Sequence, residues 1–506
     1  MRVTFGIPGS GASWQLITAL EGAGVPFVIA SHEAAGAIMA GAYARQSGSL
    51  GCAISIKGPG LANMVPGLLC NAYEQWPTIS IAEAFGPGVP RSMAHKRLDH
   101  RALTAPLVKA YATLGEPGAV VGELASIARA EIPGPTHLDL FAEDAGTLCR
   151  YADAGPVACD AAAWERAQRA IERARRPVVI AGSLATRQPW AGAIAALRIP
   201  IFTTVAAKGV VDERSRWAAG VFTGAGRALA PESAVLARAD LVVGLGLRTL
   251  EVLGARPFAC ASILLDVVRP ELATGFEAAA AVVPAERAQF VWVLRALGER
   301  SWGDDLVAES LAAARRYLTD GEWSPGRVFA ELQAGVPALG GLVVDTGSFC
   351  TVAEHVWAAE RPASFLGSAV GRFMGVALPS ALGAVLADAT RPVACALGDG
   401  GMMYASEVKL AIDRRLPVLF LLITDGRYGS VAGAPSAAGL SARAITLPRP
   451  SWCRAMDALG CAASRVSSLP DLMAAAQAWK WRDGPLFLEL PFEPERYAAM
   501  TTEIRC

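Results

Sequence analysis

Asp399 and Asp425 are the residues whose type and spacing first suggest chemistry. Asp399 stands in Gly398-Asp399-Gly400-Gly401, directly after the apolar run 392–397. Asp425 stands in Thr424-Asp425-Gly426, directly after a second apolar run, 417–423. Both runs read as buried strands, and 407–415 between them has helical spacing. Strand–turn–helix–strand puts the two carboxylates at the carboxyl ends of two strands of one parallel sheet. That edge is where open α/β sheets bind ligands. Two carboxylates beside glycines, which let backbone N–H groups come close, suit a hard divalent cation holding a phosphate.

The elements that must position them repeat one pattern along the chain. Strands are predicted at 3–5, 26–30, 52–56 and 78–82, with turns at 6–11 and 57–60 and helices at 34–46 and 61–73. The pattern resumes with strands at 177–181, 199–203, 241–245 and 263–266. In the last third, Asp345-Thr346-Gly347-Ser348 follows a strand and precedes a helix, a turn whose carbonyls, N–H groups and hydroxyls suit a diphosphate or a pyrimidine edge. The pattern loosens at 148–163 and at 299–330, where 306–318 is a helical stretch inside a linker. The expected fold class is α/β in three domains, 1–150, 164–298 and 331–495, each a mainly parallel sheet flanked by helices.

Bulk properties exclude other classes. Lys plus Arg and Asp plus Glu both number 46, so no basic field points to nucleic acid or a membrane surface. The longest apolar stretch, 373–387, is broken by Pro379 and is too short to span a bilayer. No charged start leads into an apolar leader, so no secretory segment is expected. Ten cysteines without C-x-x-C spacing fit reduced thiols in a cytoplasmic protein.

These motifs resemble the thiamine-diphosphate (ThDP) enzymes of the acetohydroxyacid synthase, benzoylformate decarboxylase and pyruvate oxidase group, and so imply the ThDP-binding fold. The family motif is Gly-Asp-Gly followed about 26 residues later by Asn-Asn; here Thr424-Asp425 replaces Asn-Asn. The resemblance implies Mg²⁺ held by Asp399, Asp425 and the carbonyl of Arg427. It implies cofactor contacts from Gly347, Ser348, Arg372, Gly398, Gly400, Gly401, Tyr428 and Gly429, with Met374 in segment 367–384 supporting the bent cofactor. Residues 5–9, His32-Glu33, Gly36-Ala37, Gly58-Pro59-Gly60 and Asn63 resemble the family's pyrimidine-binding domain. That implies cofactor contacts from Pro8, Gly9, Ser10 and Asn63, and a Glu33 that protonates the pyrimidine N1′.

Lys57 stands where the family has Ser or Thr, and a lysine beside the cofactor could reach a substrate carboxylate. Segment 91–109 resembles one on the substrate side of the cofactor, adding His95, Lys96 and His100 as catalytic candidates. The middle domain resembles one that binds FAD or ADP in some relatives. Gly182, Gly244 and Gly246 are a weak nucleotide signal, and FAD is the less expected cofactor. Ala432, where Arg is common, argues against acetolactate as product. The implied activity is decarboxylation of a 2-oxo acid, ending in aldehyde release or in carboligation to an aldehyde or oxo-acid acceptor. The implied assembly is a homodimer or homotetramer, with the cofactor between the first domain of one subunit and the third of another. Three alternatives stay open: C–C lysis, flavin-linked oxidation and a non-catalytic relative. The last is suggested by Thr424-Asp425 and by a first strand that begins almost at residue 1.

Overall fold

The computed structural model describes all residues except 87, 115–116, 142–145, 152–159, 252–253, 255, 270–277, 279, 432–440, 494–500 and 506, so Ala432 lies outside the described residues. The first sheet comprises β1 (Thr4–Gly6), β2 (Phe27–Ile29), β3 (Gly51–Ser55), β4 (Thr78–Glu83), β5 (Ala110–Thr113), β6 (Pro135–Leu140) and β7 (Leu148–Arg150). Its order is β2-β1-β3-β4-β6-β5-β7, parallel except where β7 runs against β5. Strand β7 occupies the start of the stretch expected to be linker.

The middle sheet comprises β8 (Pro177–Ala181), β9 (Ile201–Thr203), β10 (Ala218–Val221), β11 (Leu241–Leu245), β12 (Ala261–Leu265) and β13 (Ala280–Val282), in the order β10-β9-β8-β11-β12-β13. The third comprises β14 (Gly341–Val344), β15 (Phe365–Gly367), β16 (Val393–Gly398), β17 (Val418–Thr424), β18 (Ala462–Arg465) and β19 (Leu486–Pro491), in the order β15-β14-β16-β17-β19-β18. Every pair in these two sheets is parallel. The centre of the third sheet is apolar on both faces: every residue of Val-Leu-Phe-Leu-Leu-Ile-Thr in β17 is buried. That is the signature of a strand covered by helices on both sides.

The first and third domains share one apolar core, which runs from Phe5 and Met39 to Leu378 and Phe420. Small residues make this contact close. The Glu33–Ser47 helix is rich in Ala and Gly and buried from Glu33 to Ala44. A Cβ on Gly67 would lie 2.6 Å from the Ala34 carbonyl oxygen, and one on Gly383 would lie 2.3 Å from that of Met39. The Pro59–Tyr73 and Ala377–Ala387 helices therefore press directly on the backbone behind Glu33. The expected helix 407–415 is shorter than its spacing suggests. Residues Asp399–Glu407 form 3-10 turns, and the α-helix is only Val408–Asp413. Arg415, at φ 50°, turns the chain toward Pro417 and β17. No described helix is long and apolar enough to cross a membrane.

Candidate active site

Strands β16 and β17 are neighbours, so their last residues deliver Asp399 and Asp425 side by side. Asp399 locks the second turn. One carboxylate oxygen accepts the Thr424 hydroxyl at 2.7 Å, and the other accepts the N–H groups of Asp425 and Gly426 at 2.9 and 2.8 Å. Asp425 is buried and accepts the Arg427 N–H at 3.0 Å. Burial, helped by the Asp399 charge, raises its pKa. A buried carboxylate beside another is destabilised until a cation joins them.

A cleft opens around the pair, lined by Gly347, Ser348, Met374, Gly398, Gly400, Gly401, Arg427, Tyr428 and Gly429 as well. A Cβ on Gly400 would lie 2.5 Å from the Met374 sulfur and 2.8 Å from the Tyr428 ring, so only glycine leaves this cradle open. The Thr346 hydroxyl, on the same lining, is buried and has no partner among the described residues. A paired-carboxylate donor set, an open glycine cradle and an unpaired hydroxyl fit a metal-bound phosphate group. Two features here were not legible in the sequence. Arg449 donates to the Asp425 carbonyl and lies over Gly426. Arg372 lies outside the lining: its guanidinium is bound to Glu354 and to the Cys350 sulfur, behind the cleft.

At the carboxyl edge of the first sheet, Glu33 opens its helix and is buried. The Asn63 amide donates to Glu33 Oε2 at 3.2 Å. His32 caps the same helix through Nδ1, which accepts the Ala34 N–H at 3.1 Å. The turn carrying Pro8, Gly9 and Ser10 is clamped by Glu83 at the end of β4. Glu83 accepts the N–H groups of Gly11 and Ser13 at 3.1 and 3.0 Å and the Ser13 hydroxyl at 2.6 Å. Its other oxygen pairs with Lys57 Nζ at 2.7 Å. Burial pushes the Glu83 pKa up, but Lys57 and Ser13 hold it below the usual range. Lys57 is thus engaged within the chain, not extended toward a ligand.

His100 is buried with both ring nitrogens used. Nε2 accepts the Gly58 N–H at 3.0 Å, and Nδ1 meets Asp139 at 2.6 Å. Asp139 also receives His137 at 3.0 Å and Tyr111 at 2.6 Å. Burial raises its pKa, but the two imidazoles more than offset this and hold it well below the ordinary carboxylate range. His100, a catalytic candidate from the sequence, here holds the Gly58-Pro59 turn. His95 and Lys96 are exposed.

Glu407 joins the two domains, accepting the N–H groups of Ser31 and His32 at 2.8 and 3.0 Å. It is buried, one of its oxygens has no partner among the described residues, and burial pushes its pKa up to about 7. In the middle domain, Gly182 is pressed on Gly246: a Cβ there would lie 1.9 Å from the Gly246 carbonyl oxygen. The edge groups nearby are satisfied internally. Glu251 accepts the Ser183 N–H and the Thr204 hydroxyl, each at 2.8 Å. Arg248 grips Asp266 with two bonds of 2.9 Å and Glu131 with another of 2.9 Å.

Three family models match in chain order. They are the N-terminal TPP binding domain of thiamine pyrophosphate enzymes over residues 1–99, their central domain over 164–289 and their C-terminal TPP binding domain over 345–490. Similar proteins include the probable 2-ketoarginine decarboxylase of Pseudomonas aeruginosa, 27% identical over 515 residues, covering 96% of this chain and 90% of that one. The acetolactate synthase of Bacillus subtilis is 25% identical over 531 residues, covering 97% and 90%. The probable acetolactate synthase large subunit of Methanococcus aeolicus is 24% identical over 478 residues, covering 85% and 79%.

Proposed function

This chain belongs to the thiamine pyrophosphate enzymes, and on that premise we propose that it decarboxylates a 2-oxo acid with ThDP and Mg²⁺. The product leaves as an aldehyde or is joined to a second carbonyl compound. The observation that carries this reading is the interlock at the cleft, where Asp399 fixes the turn that presents a second buried carboxylate, Asp425.

In this reading Asp399, Asp425 and the Arg427 carbonyl hold Mg²⁺. Gly347, Ser348, Gly398, Gly400, Gly401, Tyr428 and Gly429 would receive the diphosphate end, and Met374, whose sulfur lies beside Gly400, would support the bent cofactor. When bound, the cofactor supplies a nucleophilic carbon and a sink for the electron pair released with CO₂. Glu33 holds and moves the proton at the pyrimidine N1′, and Asn63 orients its carboxyl group. Pro8, Gly9 and Ser10, on the turn fixed by Glu83, would contact the cofactor. Among the described residues, the cleft lining comes from Thr346 to Ser430. We infer, as the family resemblance implies, that Glu33 reaches the cofactor from a second copy of the chain, so that the active unit is a homodimer or a larger homo-oligomer. The names of the relatives, a 2-ketoarginine decarboxylase and acetolactate synthases, support a 2-oxo acid as substrate.

The test is to incubate protein loaded with ThDP and Mg²⁺ with a panel of 2-oxo acids, following CO₂ and product mass. Release of CO₂ from at least one acid, dependent on both additions, is expected. No release from any acid overturns the proposal.

A further inference from the structure

A cavity of about 700 Å³ opens at the carboxyl edge of the first sheet. Its lining is rich in cations, with Lys57, Arg91, Lys96 and Arg97 among them. Its carboxylates are already committed. Asp99 caps a helix through the Ala102 N–H at 2.9 Å, and Asp139 is held by two histidines and Tyr111. Two of the cations are committed as well. Lys57 pairs with Glu83 at 2.7 Å. Arg97 braces the loop through the Gly86 and Val89 carbonyls at 3.3 and 2.8 Å. Arg91 and Lys96 have no side-chain partner among the described residues, and with Arg97 and Arg101 they outnumber Asp99 and Asp139 on the lining, so the cavity keeps a net positive charge.

Lys96 is also held in an unusual conformation. Its φ is 67°, a left-handed value that costs a side-chain-bearing residue energy and persists only where the surroundings enforce it. The enforcement is visible. A Cβ on Gly58 would lie 2.0 Å from the Lys96 carbonyl oxygen, so glycine at 58 lets the two backbones meet. His100 then fixes Gly58 through its N–H at 3.0 Å. Gly58 leads into the Pro59–Tyr73 helix, whose Asn63 meets Glu33 at 3.2 Å. The strained lysine is thus tied by a short series of rigid contacts to the carboxyl group assigned to cofactor protonation.

We propose that this cavity receives a second anionic group on the substrate, so that the 2-oxo acid carries a distal carboxylate, sulfonate or phosphonate bound by Lys96 and Arg91. The proposal rests on the 2-oxo-acid reading above and narrows it to one charge class. A cavity of this sign attracts such a group and repels a guanidinium such as that of 2-ketoarginine.

Full-length protein loaded with ThDP and Mg²⁺ is given three sets of 2-oxo acids. The anionic set is 2-oxoglutarate, sulfopyruvate and phosphonopyruvate; the neutral set is pyruvate and 2-oxoisovalerate; the cationic member is 2-ketoarginine. One anionic substrate should exceed every neutral and cationic one in kcat/KM by about tenfold or more, and which one succeeds names the distal group. Lys96→Gln and Arg91→Gln should each raise its KM about tenfold while changing pyruvate turnover less, and Lys96→Arg should restore most of the loss. Added salt should raise that KM selectively. Preference for a neutral or cationic acid, or an equal effect of Lys96→Gln on both classes, overturns the subsite. If no acid is decarboxylated, the proposed function fails, but calorimetric titration of the same protein with sulfopyruvate and phosphonopyruvate still decides the subsite. Binding lost in Lys96→Gln supports it; binding absent from the wild type, or unchanged in the variant, refutes it.

Discussion

At Asp425 the chain has a carboxyl group in the place of the amide that the family motif implies. Burial and Asp399 raise its pKa, while Arg449 lies over the next residue. Two carboxylates need a cation between them before a diphosphate can approach, so metal and ThDP should bind together. Calorimetry should find ThDP affinity at least about tenfold higher with Mg²⁺ than without, since each metal-held contact is charge-assisted. Asp399→Ala should lose this gain, because it also frees the Thr424–Gly426 turn, whereas Asp425→Asn should keep it. Equal affinity with and without metal would refute the two-carboxylate assignment. Glu407 permits a test by pH. Between the ordinary 4.5 and about 7, the folded chain keeps this proton while the unfolded chain has released it. Stability therefore falls as pH rises through that window. Glu407→Gln can still accept from Ser31 and His32, so its Tm should vary less than wild type across that window; an unchanged slope would mean Glu407 titrates normally. Asp399, Asp425 and Gly400 were legible in the sequence because each stands in a turn directly after an apolar run that reads as a strand. Glu83 and Glu407 were not, because their partners lie 72 and 376 residues away. The engagement of His100 and Lys57 was hidden for the same reason.

The strands were the most legible elements. Strands β8 and β11 keep the bounds expected from their continuous apolar runs, since strands buried on both faces have sharp polar ends. Helical spacing was read only over 407–415; the 3-10 turns from Asp399 to Glu407 were not legible, and there Gly400 and Gly401 fit the backbone to the cleft and to Asp345. The middle-domain glycines show how one residue type serves two purposes. After a strand they suggest a nucleotide, yet here Gly182 allows the β8 turn to touch the β11 turn. The groups at that edge belong to an ion network reaching Glu131 in the first domain. Its centre, Arg248, is buried against buried Asp266. Arg248→Ala would strand that carboxylate and should cost about 3–5 kcal/mol, read as a lower denaturant midpoint. A shift below about 1 kcal/mol, typical of surface pairs, would mean the network does not hold the domains together.

Across the whole molecule, the first and third domains share one apolar core, yet among the described residues none from the first domain lines the cleft around Asp399 and Asp425. The central claim is that Glu33 of one copy serves the cofactor held by Asp399 and Asp425 of another. Closed dimers make this testable by mixing defects. In Glu33→Gln the amide can hydrogen-bond but cannot carry the proton, so bound ThDP should exchange the proton of its reactive carbon about 10²–10⁴-fold more slowly. Asp399→Ala should not retain the cofactor. When the two variants are co-expressed, a hybrid dimer pairs the intact Glu33 of one chain with the intact Asp399 of the other. Deuterium exchange of bound ThDP, read by quenched NMR, is the most direct measurement. The account predicts fast exchange restored in roughly a quarter of all sites. Exchange in the mixture no faster than in either parent would contradict it, because a site formed within one chain cannot be repaired by a partner.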